Sequence, residues 1–95
     1  MSSGEIFYLR KDLVGAINLW MWDEDYTTEL YGDIGSWGVS GINDFSYLFW
    51  DLTGKFRNFN ADISGWDVSN GTNFHGMFSS ARSFNQNISG WDVSN

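Results

Sequence analysis

Catalysis, metal binding and covalent modification each need particular side chains at particular spacings. In this chain the one imidazole belongs to His75, set among many Ser and Asp. A nucleophile, its base and the group that orients the base must meet in space. With one His and hydroxyls scattered throughout, any trio that could be drawn is compositional. His75 is expected on the polar side of a short helix, in the place that Ser46 takes 29 residues earlier, and the chain is expected not to be an enzyme.

Asp62, Asp67 and Asp92, with Asn at neighbouring places, offer the hard oxygens that calcium takes. Their spacing matches no calcium loop, and recurring Asp and Asn form turns by bonding their own backbone, so no metal and no cofactor is expected. The acidic run Asp23-Glu24-Asp25 reads as a solvated turn. Gly32, Gly35, Gly38 and Gly41 stand three apart, but no Lys-Ser/Thr follows to make a phosphate cradle and no Pro occurs to make collagen. They read as permissive turn and strand positions. Asn70-Gly71-Thr72 and Asn87-Ile88-Ser89 fit the glycosylation pattern, so Asn70 and Asn87 matter as acceptors only if the protein is secreted.

The element that carries these residues is a repeat. Residues 59–70 return as 84–95, identical at ten of twelve positions and 25 residues on. A worn copy lies upstream, where Ile34, Trp37, Val39 and Ser40 precede Ile63, Trp66, Val68 and Ser69 by 29. The same phase matches Phe45, Leu48 and Phe49 to Phe74, Met77 and Phe78, and the four extra residues fall between Phe49 and Phe59, where a surface loop absorbs them.

Within a unit, Trp66-Asp67-Val68-Ser69 alternates apolar and polar, the period of a short strand. Phe74, Met77, Phe78 and Ala81 then stand at i, i+3, i+4 and i+7, as do Phe45, Leu48, Phe49 and Leu52, the stripe of a short helix. The expected fold is therefore an α/β repeat solenoid of short parallel strands and short helices. Leu13, Ala16, Ile17 and Trp20 predict an N-terminal capping helix from about Asp12 to Trp22, after which Tyr26 to Leu30 would lead into the first strand. The expected organisation is a cap over residues 1–30 and a solenoid over 31–95, with units 31–58, 59–83 and a partial 84–95. Asn70 and Asn95 are expected to align as an amide ladder between units. Ile88, Trp91 and Val93 have no following half-unit in the sequence, so further repeats or a partner are expected to cover that edge.

The motif Phe-Asn-x-x-Ile-Ser-Gly-Trp-Asp-Val-Ser-Asn, followed by Met77-Phe78 and Ala81, resembles the BspA-type leucine-rich-repeat-like surface proteins, whose repeat was first catalogued as a mycoplasma domain of unknown function. The resemblance covers about residues 31 to 95, and Leu13 to Trp20 with Tyr31-Gly32 looks like that family's lead-in. It implies an extended repeat surface, often displayed outside the cell, that binds without catalysing. Gly38 and Gly41 depart from it, standing where Asp67 and Asn70 stand one unit on, and Gly71 and Phe74 occupy places usually held by Val and Met.

Twelve acidic residues against five basic ones give a net charge of −7, which repels a nucleic-acid backbone and an anionic membrane alike. No apolar run approaches the roughly 18 residues that span a bilayer. Cysteine is absent, so eighteen aromatic residues (six Trp, eight Phe, four Tyr) must supply the core of a small chain. The expected partner is a protein or surface polymer, docked on a face built from Asp67, Ser69, Asp92 and Ser94. The alternative is a structural accessory subunit packed permanently into a larger assembly.

Overall fold

The apolar spacing of the first thirty residues decides where helix forms. In a computed structural model, which describes residues 4–94, α1 spans Arg10–Trp22 and α2 spans Glu24–Tyr31, followed by a single 3-10 turn at Ile34–Ser36. α1 buries Leu13, Ala16 and Ile17 and lays Val14, Trp20 and Met21 against the same core. Asp23 both ends α1 and starts α2. Its amide donates to the Leu19 carbonyl at 2.8 Å, while its carboxylate accepts the Tyr26 amide at 3.1 Å.

That cap corrects the reading of the acidic run. Asp23 is an N-cap, and Glu24 and Asp25 fill the first turn of α2, where negative charge is favoured. Tyr26 to Leu30 is helix rather than the approach to a strand, and the buried Thr27 fixes it by donating its hydroxyl to the Asp23 carbonyl at 2.7 Å.

The α/β solenoid expectation is overturned as well. No strand or sheet forms among the described residues, and the two stripes expected to be short helices are turns. Two isolated parallel bridges occur among the described residues, Ile6 with Gly38 and Asp44 with Asn73. The cause is local competition for backbone amides. Phe45, Tyr47 and Phe49 donate to the carbonyls of Asn73, His75 and Met77 at 2.8, 2.9 and 2.9 Å, which is half of a parallel ladder. The returning half is diverted: the His75 amide goes to the Asn73 side chain at 3.0 Å and the Met77 amide closes a turn on the Phe74 carbonyl at 3.2 Å. At Trp66–Ser69 the Asp67 carboxylate takes the Ser69 amide, and Gly71 closes a turn on the Val68 carbonyl at 2.9 Å.

Helix is blocked in the Phe45 stripe by its backbone. Tyr47 sits at φ 52, and its counterpart Gly76 sits at φ 64, so both units turn left-handed there. Leu52, expected on the buried stripe, is 91% exposed.

Rings hold the units together. Phe49 stacks on Phe59 with centroids 4.4 Å apart and on Phe78 at 5.3 Å, and Phe78 stacks on Phe84 at 4.3 Å. Phe45 and Phe74 stack in parallel at 5.3 Å. Indoles add direction: the buried Trp66 donates Nε1–H to the Ile34 carbonyl at 2.8 Å, and the half-buried Trp91 repeats the bond to Ile63 at 3.3 Å.

Phe49 touches four of these rings, Phe56, Phe59, Trp66 and Phe78. Phe49→Ala should cost about 3–5 kcal/mol in urea unfolding. A loss below about 1 kcal/mol would mean that the column does not support the fold.

Candidate functional site

The turns that replace strands decide how the polar residues are displayed. In the Asp-x-Ser sequence the carboxylate accepts both the amide and the hydroxyl of the Ser two residues on. Asp67 Oδ1 takes the Ser69 amide at 3.1 Å and its hydroxyl at 2.6 Å, and Asp92 treats Ser94 alike at 3.1 and 2.7 Å. Asp62 with Ser64 and Asp44 with Ser46 form the same turn. Val68, Ile63 and Phe45, the central residues of three of them, are buried.

Asp67, Asp92 and Ser94 therefore stand exposed and Ser69 half-buried, in two copies of one geometry 25 residues apart. Each carboxylate uses Oδ1 in its turn, and Oδ2 of Asp67 and of Asp92 has no hydrogen-bond partner among the described residues. Hydrogen bonds from the Ser hydroxyl and amide hold the carboxyls of Asp62, Asp67 and Asp92 below their ordinary value. At Asp92 the charge of Asp67 pulls weakly the other way.

Asn does the same turn work where it replaces Asp. Asn87 accepts the Ser89 amide at 3.0 Å, and Asn73 accepts that of His75 at 3.0 Å. Asn70 donates Nδ2–H to the Ser40 carbonyl at 2.7 Å, so its amide nitrogen is already engaged, and Asn95 of the expected ladder lies outside the described residues. A different amide pairing joins the last two units: Asn60 accepts the Asn85 amide at 2.8 Å, and Gln86 donates to the Asn60 carbonyl at 2.7 Å. The identical Phe-Asn pairs of the repeat carried that signal.

His75 does not lie on a helix. Its imidazole meets the Tyr47 ring edge-on at 5.4 Å, and Trp50 meets the other side of the trio at 5.9 Å from Tyr47. Tyr47 and Trp50 are 45% and 43% exposed, so the three rings form a surface cluster. Tyr47 holds it in place from a left-handed backbone, and its ring lies where a side chain on Gly76 would stand. Arg10 stiffens the loop from α1 by donating to the carbonyls of Asp44 and Ser46 at 2.9 and 2.6 Å. Sequence periodicity missed the cluster because it placed these residues on helices.

No group of three metal-ligating side chains occurs among the described residues, and no helix there is long and apolar enough to cross a membrane.

A chain of stacked aromatic repeats with polar turns outside is thus the class that fold and surface define. The family described as "Mycoplasma protein of unknown function, DUF285" has a model that matches residues 6–95, and the chain belongs to that family. No curated protein and no solved structure matches it.

The lowered carboxyls set a pH response. Their folded values lie below the ordinary 3.8, so the stability they lend is complete above that value and is lost as pH falls through the lower folded values. A carboxyl titration by NMR should place the Asp62 midpoint below 3.8, and Ser64→Ala should move it upward. A midpoint unmoved by Ser64→Ala would remove the hydrogen-bonded turn as the cause.

Proposed function

We propose that the protein is a non-catalytic recognition module of the BspA-type surface kind, whose repeated polar turns dock a partner protein or a surface polymer. The observation that carries this reading is the pair of carboxylates at Asp67 and Asp92, held in one geometry with Oδ2 of each unengaged among the described residues. Their turns are ordered before any partner arrives, so little conformational entropy remains to be lost on docking. Ser69 and Ser94 complete the row, and the exposed rings of Tyr47 and Trp50 supply the aromatic contact area in which binding energy concentrates. The partner's matching chemistry is a row of donors or cations facing an acidic surface. Display outside the cell, which the BspA-type resemblance implies, would fit such a task.

A second reading, an accessory subunit packed into a larger assembly, draws on one different feature. Phe74, Met77, Phe78, Ile88, Trp91 and Val93 line an apolar cleft of about 300 Å³, and Val93 is 52% exposed. A surface of that kind belongs against another surface.

The two readings part in solution. Binding of the purified chain to immobilised matrix proteins and neutral polysaccharides should weaken at least about tenfold in the Asp67→Asn/Asp92→Asn variant. Asn keeps the turn, as Asn87 does here, so the fold should survive. Unchanged retention of the double variant on every bound probe would sink the carboxylate row as the contact. Aggregation of the wild type, relieved by Val93→Lys, would favour the accessory subunit; a monomer by light scattering would favour the module.

A further inference from the structure

The chain carries five basic residues, Arg10, Lys11, Lys55, Arg57 and Arg82. Two of them have carboxylate partners among the described residues: Arg10 reaches Asp44 at 3.7 Å and Lys55 reaches Asp51 at 3.2 Å. Arg57 and Arg82 have none, although acidic residues outnumber basic ones by twelve to five. They also share a register, since Arg57 precedes Phe59 as Arg82 precedes Phe84, 25 residues on. Stacking therefore brings them together. The Ser83 amide bonds the Arg57 carbonyl at 3.0 Å, and both arginines line one open depression of about 290 Å³.

The other walls of that depression are Thr53, Gly54, Ser79 and Ser80, and no carboxylate faces it. Asp51, the nearest acid along the chain to Thr53, is engaged elsewhere. Its carboxylate accepts the amides of Thr53 and Gly54, each at 3.1 Å, and pairs with Lys55. The side-chain hydroxyls of Ser79 and Ser80 have no hydrogen-bond partner among the described residues. Two guanidinium groups, two free hydroxyls and no counter-charge make an arrangement that is electrostatically unsatisfied on its own, because like charges opposite one another repel.

We propose that Arg57 and Arg82, with Ser79 and Ser80, form a site for a single phosphate group. Planar guanidinium forks match the paired oxygens of phosphate, and two of them balance its two negative charges. The hydroxyls suit its remaining oxygens. The surrounding charge of −7 sets the scale of the ligand: a compact dianion gains the local attraction, whereas a long polyanion meets the repulsion of the rest of the surface. The site stands apart from the Asp67 and Asp92 row and needs nothing of the recognition reading.

The test is calorimetric titration with inorganic phosphate, O-phosphoserine and glycerol 3-phosphate at low, matched ionic strength, with acetate as the monoanion control. Saturable binding of phosphate, weakened at least about tenfold in Arg57→Gln/Arg82→Gln and unchanged in Lys11→Gln, is the expected result. Preference for O-phosphoserine would point to a phosphorylated protein, and preference for glycerol 3-phosphate to a lipid or polymer headgroup. Equal heats for acetate and phosphate, or equal phosphate affinity in the double variant, would overturn the proposal. Thermal unfolding without phosphate is the second readout: removing an unsatisfied pair should leave the midpoint unchanged or raise it, and a marked fall would give the arginines a structural role instead.

Discussion

Everything in this molecule depends on flat rings lying on flat rings. With no cysteine to cross-link the chain and no sheet among the described residues, the repeats beyond α2 are tied to one another chiefly by side chains. Phenyl faces supply these ties at 4.3 to 5.3 Å through Phe59, Phe49, Phe78 and Phe84. Such pairs add specific geometry to a large area removed from water. The backbone between them is free to be almost all turn because the rings, rather than a hydrogen-bonded ladder, fix the spacing.

That arrangement explains why polar residues are so regular outside. A ring can stack only if the chain returns to the same place each time, and the Asp-x-Ser turn supplies the return by exchanging backbone partners for side-chain ones. Asp67 and Asp92 consequently spend one oxygen, Oδ1, on building the turn, and Oδ2 has no hydrogen-bond partner among the described residues. Asn builds the same turn without the charge, as the repeat itself does at Asn87.

Much of the organisation was legible in the residues. The repeat, its 25-residue period and the apolar stripe of α1 follow from identity and spacing, and the expected start near Asp12 lies two residues inside the helix that begins at Arg10. The type of element inside each repeat was not legible. Trp66-Asp67-Val68-Ser69 has a strand's alternation and Phe45, Leu48, Phe49 a helix's spacing, but periodicity records only which side chains turn inward. It is silent on where the amides go. Here Asp67, Asn73 and Asp44 claim them, and Tyr47 adopts a backbone that its residue type disfavours. The arginine pair was hidden for a related reason: its register was plain in the repeat, but the lack of any carboxylate beside it is a fact of three dimensions.

The side-chain bonds between repeats share one direction. Trp66 reaches back to Ile34, Asn70 to Ser40, Gln86 to Asn60 and Trp91 to Ile63. Each donor belongs to the later segment, and each acceptor is a carbonyl already laid down in the earlier one. During synthesis a repeat leaving the ribosome would find the acceptors of these side chains in place, whereas the amides of Phe45, Tyr47 and Phe49 wait for the carbonyls of Asn73, His75 and Met77 in the unit that follows. The side chains give the fold a grain, as timber has, that runs from the amino end, and the backbone bonds cross it.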